Sequence, residues 1–182
     1  HESDEVKTIH DGVQRVDAGV ENNLVYDKHN RYSLVDHFFE TDVSLKSINN
    51  CTYRELGDFV NGKYEFDVKK RKEKVSIVMK AEGCVNSKAV AITKEVLLPK
   101  AGSEFTVKYK ILKKSKDNLD VIFSPEFNIT MPDGESERYS ILKNKQEKVG
   151  LSHVLKIDPT NKFKIFDAKK DVSYEINVNE KC

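Results

Sequence analysis

The chain has 182 residues, with 31 Lys plus Arg against 30 Asp plus Glu and a net charge of +1. That balance gives no field to gather nucleic acid or an anionic membrane, and no apolar run approaches the roughly 18 residues a membrane-spanning helix needs. The length is enough to bury a core without disulfides or metal, and one β domain over 1–182 is the simplest organisation, with 1–22 as an irregular lead-in.

In chain order the first feature is the start itself, His1-Glu2-Ser3, without an initiator Met or a signal peptide, which is expected of a processed piece and says nothing about the native N-terminus. Next, "RYSLVDHFFE" packs Tyr32, Leu34, Val35, Phe38 and Phe39 around Arg31, Asp36, His37 and Glu40. "SLVDHFF" has Ser33 as a cap and is expected to form one short turn. From there the signal is period-two alternation, which gives each strand one apolar and one wet face. It runs through "KYEFDV" (Tyr64, Phe66, Val68), "KVSIVMKA" (Val75, Ile77, Met79, Ala81), "EFTVKYKILKK" (Phe105, Val107, Tyr109, Ile111), "EFNITM" (Phe127, Ile129, Met131) and "DVSYEINVN" (Val172, Tyr174, Ile176, Val178).

The predicted strands are 64–70, 74–81, 88–98, 104–113, 118–131, 151–157, 162–167 and 171–178, an all-β antiparallel sandwich. Pro125 predicts a bend or an edge within 118–131. "KKRKEK" reads as a solvated hairpin tip, and Asn61-Gly62, Gly83, Pro99 with Gly102, Pro132-Asp133-Gly134 and Asp158-Pro159-Thr160-Asn161 read as breaks. No helix longer than about two turns is expected.

Motifs for chemistry are sparse. The histidines, His1, His10, His29, His37 and His153, show no HxH or HxxxH spacing, so no metal and no cofactor is expected. The cysteines, Cys51, Cys84 and Cys182, are odd in number and widely spaced, which suits reduced thiols in a cytoplasmic setting. The two N-x-T sequons at Asn50 and Asn128 matter only in a secreted chain. Asp36 and His37 are adjacent, so on a strand they point to opposite faces and cannot act as an orienting pair; an ordinary loop anchor is the plainer reading. Glu126 and Asn128 share the polar face of a strand near aromatics, which suits sugar hydroxyls but equally a solvated face, and the chain has no Trp to stack on a sugar ring.

The passage "NNLVYDKHNRYSLVDHFF" (Asn22 to Phe39), followed by "ELGDFVNGKYEFDV" (Glu55 to Val68), resembles the C-terminal β domain of family 57 glycoside hydrolases, the α-amylase and 4-α-glucanotransferase enzymes. Tyr26, Asp27, Arg31, Leu34, Asp36, His37 and Phe38 match the opening motif of that domain, and Gly57, Asp58, Phe59 and Tyr64 match the stretch that leads into its sandwich. "ITKEVLLPKAGSEFTVKYKI" and "FSPEFNITM" resemble later strands of the family. The resemblance implies a supersandwich of the galactose-mutarotase-like type. It also implies attachment to an N-terminal catalytic (β/α) barrel in the same polypeptide, with the reacting carboxylates on that barrel and none here.

On that reading Arg31, Tyr32, Asp36, His37, Phe38 and Phe39 are candidates for an inter-domain contact, with the domain's own core as the rival for the apolar members. Two alternatives stand beside it. One is a stand-alone carbohydrate-binding module that meets α-glucan through Glu126 and Asn128. The other is a mutarotase-like epimerase using Glu126 and His153, for which a second histidine acid is missing.

Overall fold

The computed structural model describes residues 27–131, 137–142, 148–151 and 162–179. Among the described residues, ten strands and one short helix run in the order β1 (Val35–Phe39), α1 (Leu45–Asn49), β2 (Glu65–Lys70), β3 (Lys74–Val85), β4 (Lys88–Pro99), β5 (Thr106–Lys113), β6 (Ile122–Glu126), β7 (Tyr139–Leu142), β8 (Lys148–Gly150), β9 (Lys162–Asp167) and β10 (Val172–Asn177). They form three antiparallel sheets: a ribbon β1-β6, a central sheet β2-β3-β4-β5, and a third sheet β10-β9-β7-β8. The fold is all-β, as the alternation predicts. Among the described residues no helix is long and apolar enough to cross a membrane.

The central sheet follows from its pattern. Cross-strand partners share a face, so Phe66 opposite Met79, Ala81 opposite Ile92 and Ile111 opposite Ile92 put the apolar sets of four strands on one side. The β2–β3 hairpin closes where "KKRKEK" predicts it, with the Arg71 N–H donating to the Lys74 carbonyl at 2.8 Å. The β3–β4 hairpin closes through Asn86 and Ser87, both at positive φ (47° and 63°), the pairing a tight two-residue turn requires.

The ribbon covers one end of that apolar face. Phe38, Phe59, Ala81, Val85, Val90 and Ile92 form the buried cluster, with Tyr64, Tyr109, Leu119, Val121 and Phe123 packed on it. "LGD" (Leu56 to Asp58) stitches the ribbon to the sheet: Leu56 N–H donates to the Phe38 carbonyl, Asn86 N–H to the Leu56 carbonyl, and Cys84 N–H to the Asp58 carboxylate at 2.9 Å.

Several expectations are corrected here. The segment after Ser33 is not a turn but strand β1, with every residue from Val35 to Phe39 buried; a strand covered on both faces loses its alternation. Leu34, at φ 66°, supplies the bend instead. Gly83 is no break. It lies inside β3, opposite Val90, where a Cβ would come within 2.1 Å of Asp58 Oδ1, so glycine there admits the stitching carboxylate. The segment 118–131 contracts to β6, and Pro125 sits on a two-stranded ribbon where both strands are edges. Strands β7 and β8 escape the pattern because four and three residues are too short to display a period. The strand expected at 151–157 lies outside the described residues except for Leu151, as do the breaks at 132–134 and 158–161 and the lead-in 1–22.

Candidate functional site

The ribbon register sets the site. His37 pairs with Ser124 and Val35 with Glu126, so His37 and Glu126 lie diagonally on the same face, within reach of two long side chains. The turn ahead of β1 is held by Asn128: its backbone N–H donates to Ser33 Oγ (3.1 Å) and its side-chain amide to the Tyr32 carbonyl (2.8 Å). This folds the loop back over β1 and brings His29 to the same place.

Four side chains from four segments converge there. Glu126 Oε2 lies 2.9 Å from His29 Nε2 and 2.9 Å from His37 Nε2. The opposite nitrogen of His37, Nδ1, lies 2.7 Å from Glu55 Oε2. Glu55 is itself fixed, because its Oε1 accepts from the Phe38 N–H (2.8 Å) and the Gly57 N–H (3.1 Å). The Asn128 amide donates to Glu126 Oε1 at 2.5 Å. Phe39 stacks on the His37 ring with centroids 5.3 Å apart, and Tyr53 closes the edge.

Burial works to lower the His37 pKa, but the hydrogen bonds and charges of Glu55 and Glu126 outweigh it and hold the group above its ordinary value. For Glu126 burial pushes upward, and the hydrogen bonds from Asn128, His29 and His37 bring it below the usual carboxylate range. Burial first, then the nearby charges of Cys51, Glu55, Glu126 and Asp27, take the Tyr53 phenol to about 12.

The other face of β1 carries a second polar assembly. Asp36 Oδ2 meets Lys94 Nζ at 2.8 Å and accepts the Tyr64 hydroxyl, while the same ammonium donates to the Leu34 carbonyl at 2.8 Å and lies 4.0 Å from the Tyr64 ring centre. Burial first, then the Asp36 hydrogen bond and charge, push the Tyr64 phenol well above its ordinary value.

The structure separates the candidates named from sequence. Asp36 and His37 do point to opposite faces, and each, itself buried, has its own polar partners. Phe38 and Phe39 are turned into this chain's interior, at 2% and 4% exposure. Arg31 and Tyr32 stand exposed, Arg31 in a two-pronged pair with Asp27 (2.6 and 2.8 Å). Glu126 and Asn128 do sit together, with their polar atoms engaged by His29, His37 and Tyr32. His153 lies outside the described residues. Sequence reasoning missed His29, Glu55 and Lys94. The first two have no spacing signal, being assembled in space. Lys94 did leave one, as a lone lysine on the apolar parity of β4 among Val90, Ile92 and Val96.

The family model described as "Alpha-amylase/4-alpha-glucanotransferase, C-terminal" matches residues 1–182. This chain belongs to that family. Among individual members, it is 27% identical over 177 residues to an alpha-amylase of Pyrococcus abyssi, covering 97% of this chain and 23% of that protein. It is 29% identical over 126 residues to a 4-alpha-glucanotransferase of Thermococcus kodakarensis, covering 69% of this chain and 18% of that one. The crystal structure of the 4-alpha-glucanotransferase from Thermococcus litoralis superposes with a TM-score of 0.65 at 22% identity over 93% of this chain and 23% of that chain, a likeness of fold. The chain therefore spans about a fifth of the length of the relatives it matches.

Proposed function

We propose that this chain is a non-catalytic domain that packs on and stabilises the catalytic (β/α) barrel of a longer polypeptide acting on α-1,4-glucans. One observation carries the reading: the apolar face of the central sheet continues past the part the ribbon covers. Phe66 is 72% exposed, Val68 43% and Leu98 37%, on the same side as the half-buried Val75 and Ile77. An apolar face of this kind needs a cover. The relatives supply one by length, since the matched segment is only 23% or 18% of them. Of the six candidates for an inter-domain contact, Arg31 and Tyr32 remain exposed to meet such a neighbour. A family match over all 182 residues supports one domain, and the free thiols Cys51 and Cys84 support a reducing, cytoplasmic compartment.

Glucan contact by Glu126 and Asn128 has less support, because a sugar hydroxyl must first displace a hydrogen bond that each already makes. A stand-alone binding module predicts retardation of the chain in a native gel containing starch, weakened by Glu126→Ala. An epimerase predicts glucose anomers interconverting faster than in buffer.

The test of the packing reading is Phe66→Ser made twice, in the 182-residue chain and in the full-length polypeptide. In the chain alone the melting temperature should move by no more than about 2 °C, as for an exposed site. In the full-length protein the same change should lower the unfolding temperature or the half-life of activity clearly more. Equal shifts in both backgrounds, or turnover of maltooligosaccharides by the chain alone, would overturn it.

A further inference from the structure

The packing reading makes no use of the cluster on the outer face of β1, and its hydrogen-bond logic is incomplete as it stands. Glu55 is ionic or hydrogen-bonded through both oxygens, with Oε1 already accepting two backbone N–H groups. Its Oε2 therefore faces His37 Nδ1 as an acceptor, and Nδ1 must carry the proton. In the neutral ring that leaves a lone pair on Nε2, aimed at Glu126 Oε2 from 2.9 Å, where two acceptors confront each other. His29 Nε2 is aimed at the same oxygen from the other side, also at 2.9 Å. A positive charge between these atoms resolves the conflict, either as a second proton on the ring or as a metal ion.

Four features favour the ion. His29 Nε2, His37 Nε2 and Glu126 Oε2 all lie within 4.8 Å of one another, one ligand atom from each residue. A tetrahedral ion with bonds of about 2.0–2.1 Å spaces its ligands at about 3.3 Å, so a small swing of the loop carrying His29 completes the set. A carboxylate behind the distal nitrogen of a ligating histidine is the usual outer partner of a metal site, and Glu55 stands there for His37. Glu126 is oriented in the same way, its Oε1 held by the Asn128 amide while Oε2 is left to the two rings. The side chains of His29 and His37 are 9% and 4% exposed and that of Glu126 is 28% exposed, so the cluster is lined on the protein side and open to solvent on the other.

We propose that His29, His37 and Glu126 bind one divalent transition ion of the zinc class, with Glu55 and Asn128 as positioning residues and water in the remaining position. Two imidazoles with one carboxylate suit such an ion, whereas calcium and magnesium prefer all-oxygen sets. The ion clips the loop before β1 to both strands of the ribbon, and its binding free energy adds to folding.

The test uses the 182-residue chain stripped with EDTA and dialysed against zinc chloride or cobalt chloride. Three results are expected: one equivalent of zinc retained; a cobalt spectrum of nitrogen and oxygen ligands without a thiolate charge-transfer band; and a melting temperature that rises with zinc concentration. His29→Gln, on the loop, should weaken zinc binding by about 100-fold or more with an unchanged circular dichroism spectrum. Glu55→Gln should weaken it by about 10–100-fold and keep the cobalt spectrum, as expected of an outer partner. Should His29→Gln misfold, Glu126→Gln takes its place. Equal zinc retention by parent and His29→Gln would assign the metal to other groups and overturn the proposal. So would a melting temperature identical in EDTA and in zinc, which would leave a protonated, hydrogen-bonded cluster.

Discussion

Asp36 and His37 are consecutive residues on one strand, and they lead to two polar assemblies of opposite character. Toward the central sheet, Asp36 at 1% exposure and Lys94 at 4% form a sealed set in which the ammonium is shared among a carboxylate, a carbonyl and an aromatic face. Toward the loops, His37 is flanked by two carboxylates, and one of them, Glu126, reaches solvent. The sealed set has its charges matched one to one and is closed to solvent. What it fixes is position, because Lys94 ties β4 to both Leu34 and Asp36 and so sets the ribbon on the sheet. The open set has acceptors in excess, and that excess gives it a use for a cation. Adjacent residues on a strand can therefore serve structure and binding separately, since the strand itself insulates the two faces.

The sharpest way to break this contrast is to remove one member of the sealed pair. Lys94→Met should leave the Asp36 charge buried without its partner and cost about 3–5 kcal/mol in urea denaturation. Adding Asp36→Leu to it should recover much of the loss, because an apolar pair can replace a buried ion pair at little net cost. A loss below about 1 kcal/mol for Lys94→Met would mean that water reaches Asp36 and the two faces differ less than described. Gly83→Ala comes next in size. Its Cβ would press on Asp58, the residue that stitches β3 to the ribbon, and an overpacked site of this kind costs about 1–3 kcal/mol, read from the same denaturation midpoint.

The same contrast explains what could be read from the residues in order. The central sheet was legible because one of its faces is wet: Tyr64, Phe66 and Val68 alternate with Glu65, Asp67 and Lys69, and their partners do likewise. β1 was not, because "VDHFF" is buried on both sides and its polar members Asp36 and His37 are buried along with the apolar ones, so no period survives. The opposite orientation of Asp36 and His37 follows from strand geometry alone. The company each keeps does not, since Glu126 is 89 residues from His37 and Lys94 is 60 from Leu34. Glu126 and Asn128 were visible as a polar pair on a strand, but their service to the two histidines depends on a fold-back that Ser33 and Asn128 create together. Gly83 shows the reverse case, where a residue type that usually signals a break instead marks a close approach.

The third sheet offers the mildest test, on an ion pair whose arginine is partly exposed. Arg138 grips Asp167 with two bonds, 2.7 and 2.6 Å, and the Lys169 and Lys170 N–H groups add to the same carboxylate. The Arg138 bonds, opposed by burial and helped by those backbone donors, hold Asp167 at about 2. A carboxyl group held below its unfolded value stabilises the fold at pH values above that unfolded value, about 3.9, and the contribution fades as pH falls toward 2. Carbon-13 titration of the Asp167 carboxyl should show the low midpoint in the parent and a midpoint moved up toward the ordinary carboxylate range in Arg138→Ala. The parent should also lose relative stability over the variant between about pH 4 and pH 2 and hold it unchanged at neutral pH. Because this pair touches neither face of β1, the variant should bind zinc as the parent does, and a change in zinc binding would show that the ribbon and the third sheet are coupled.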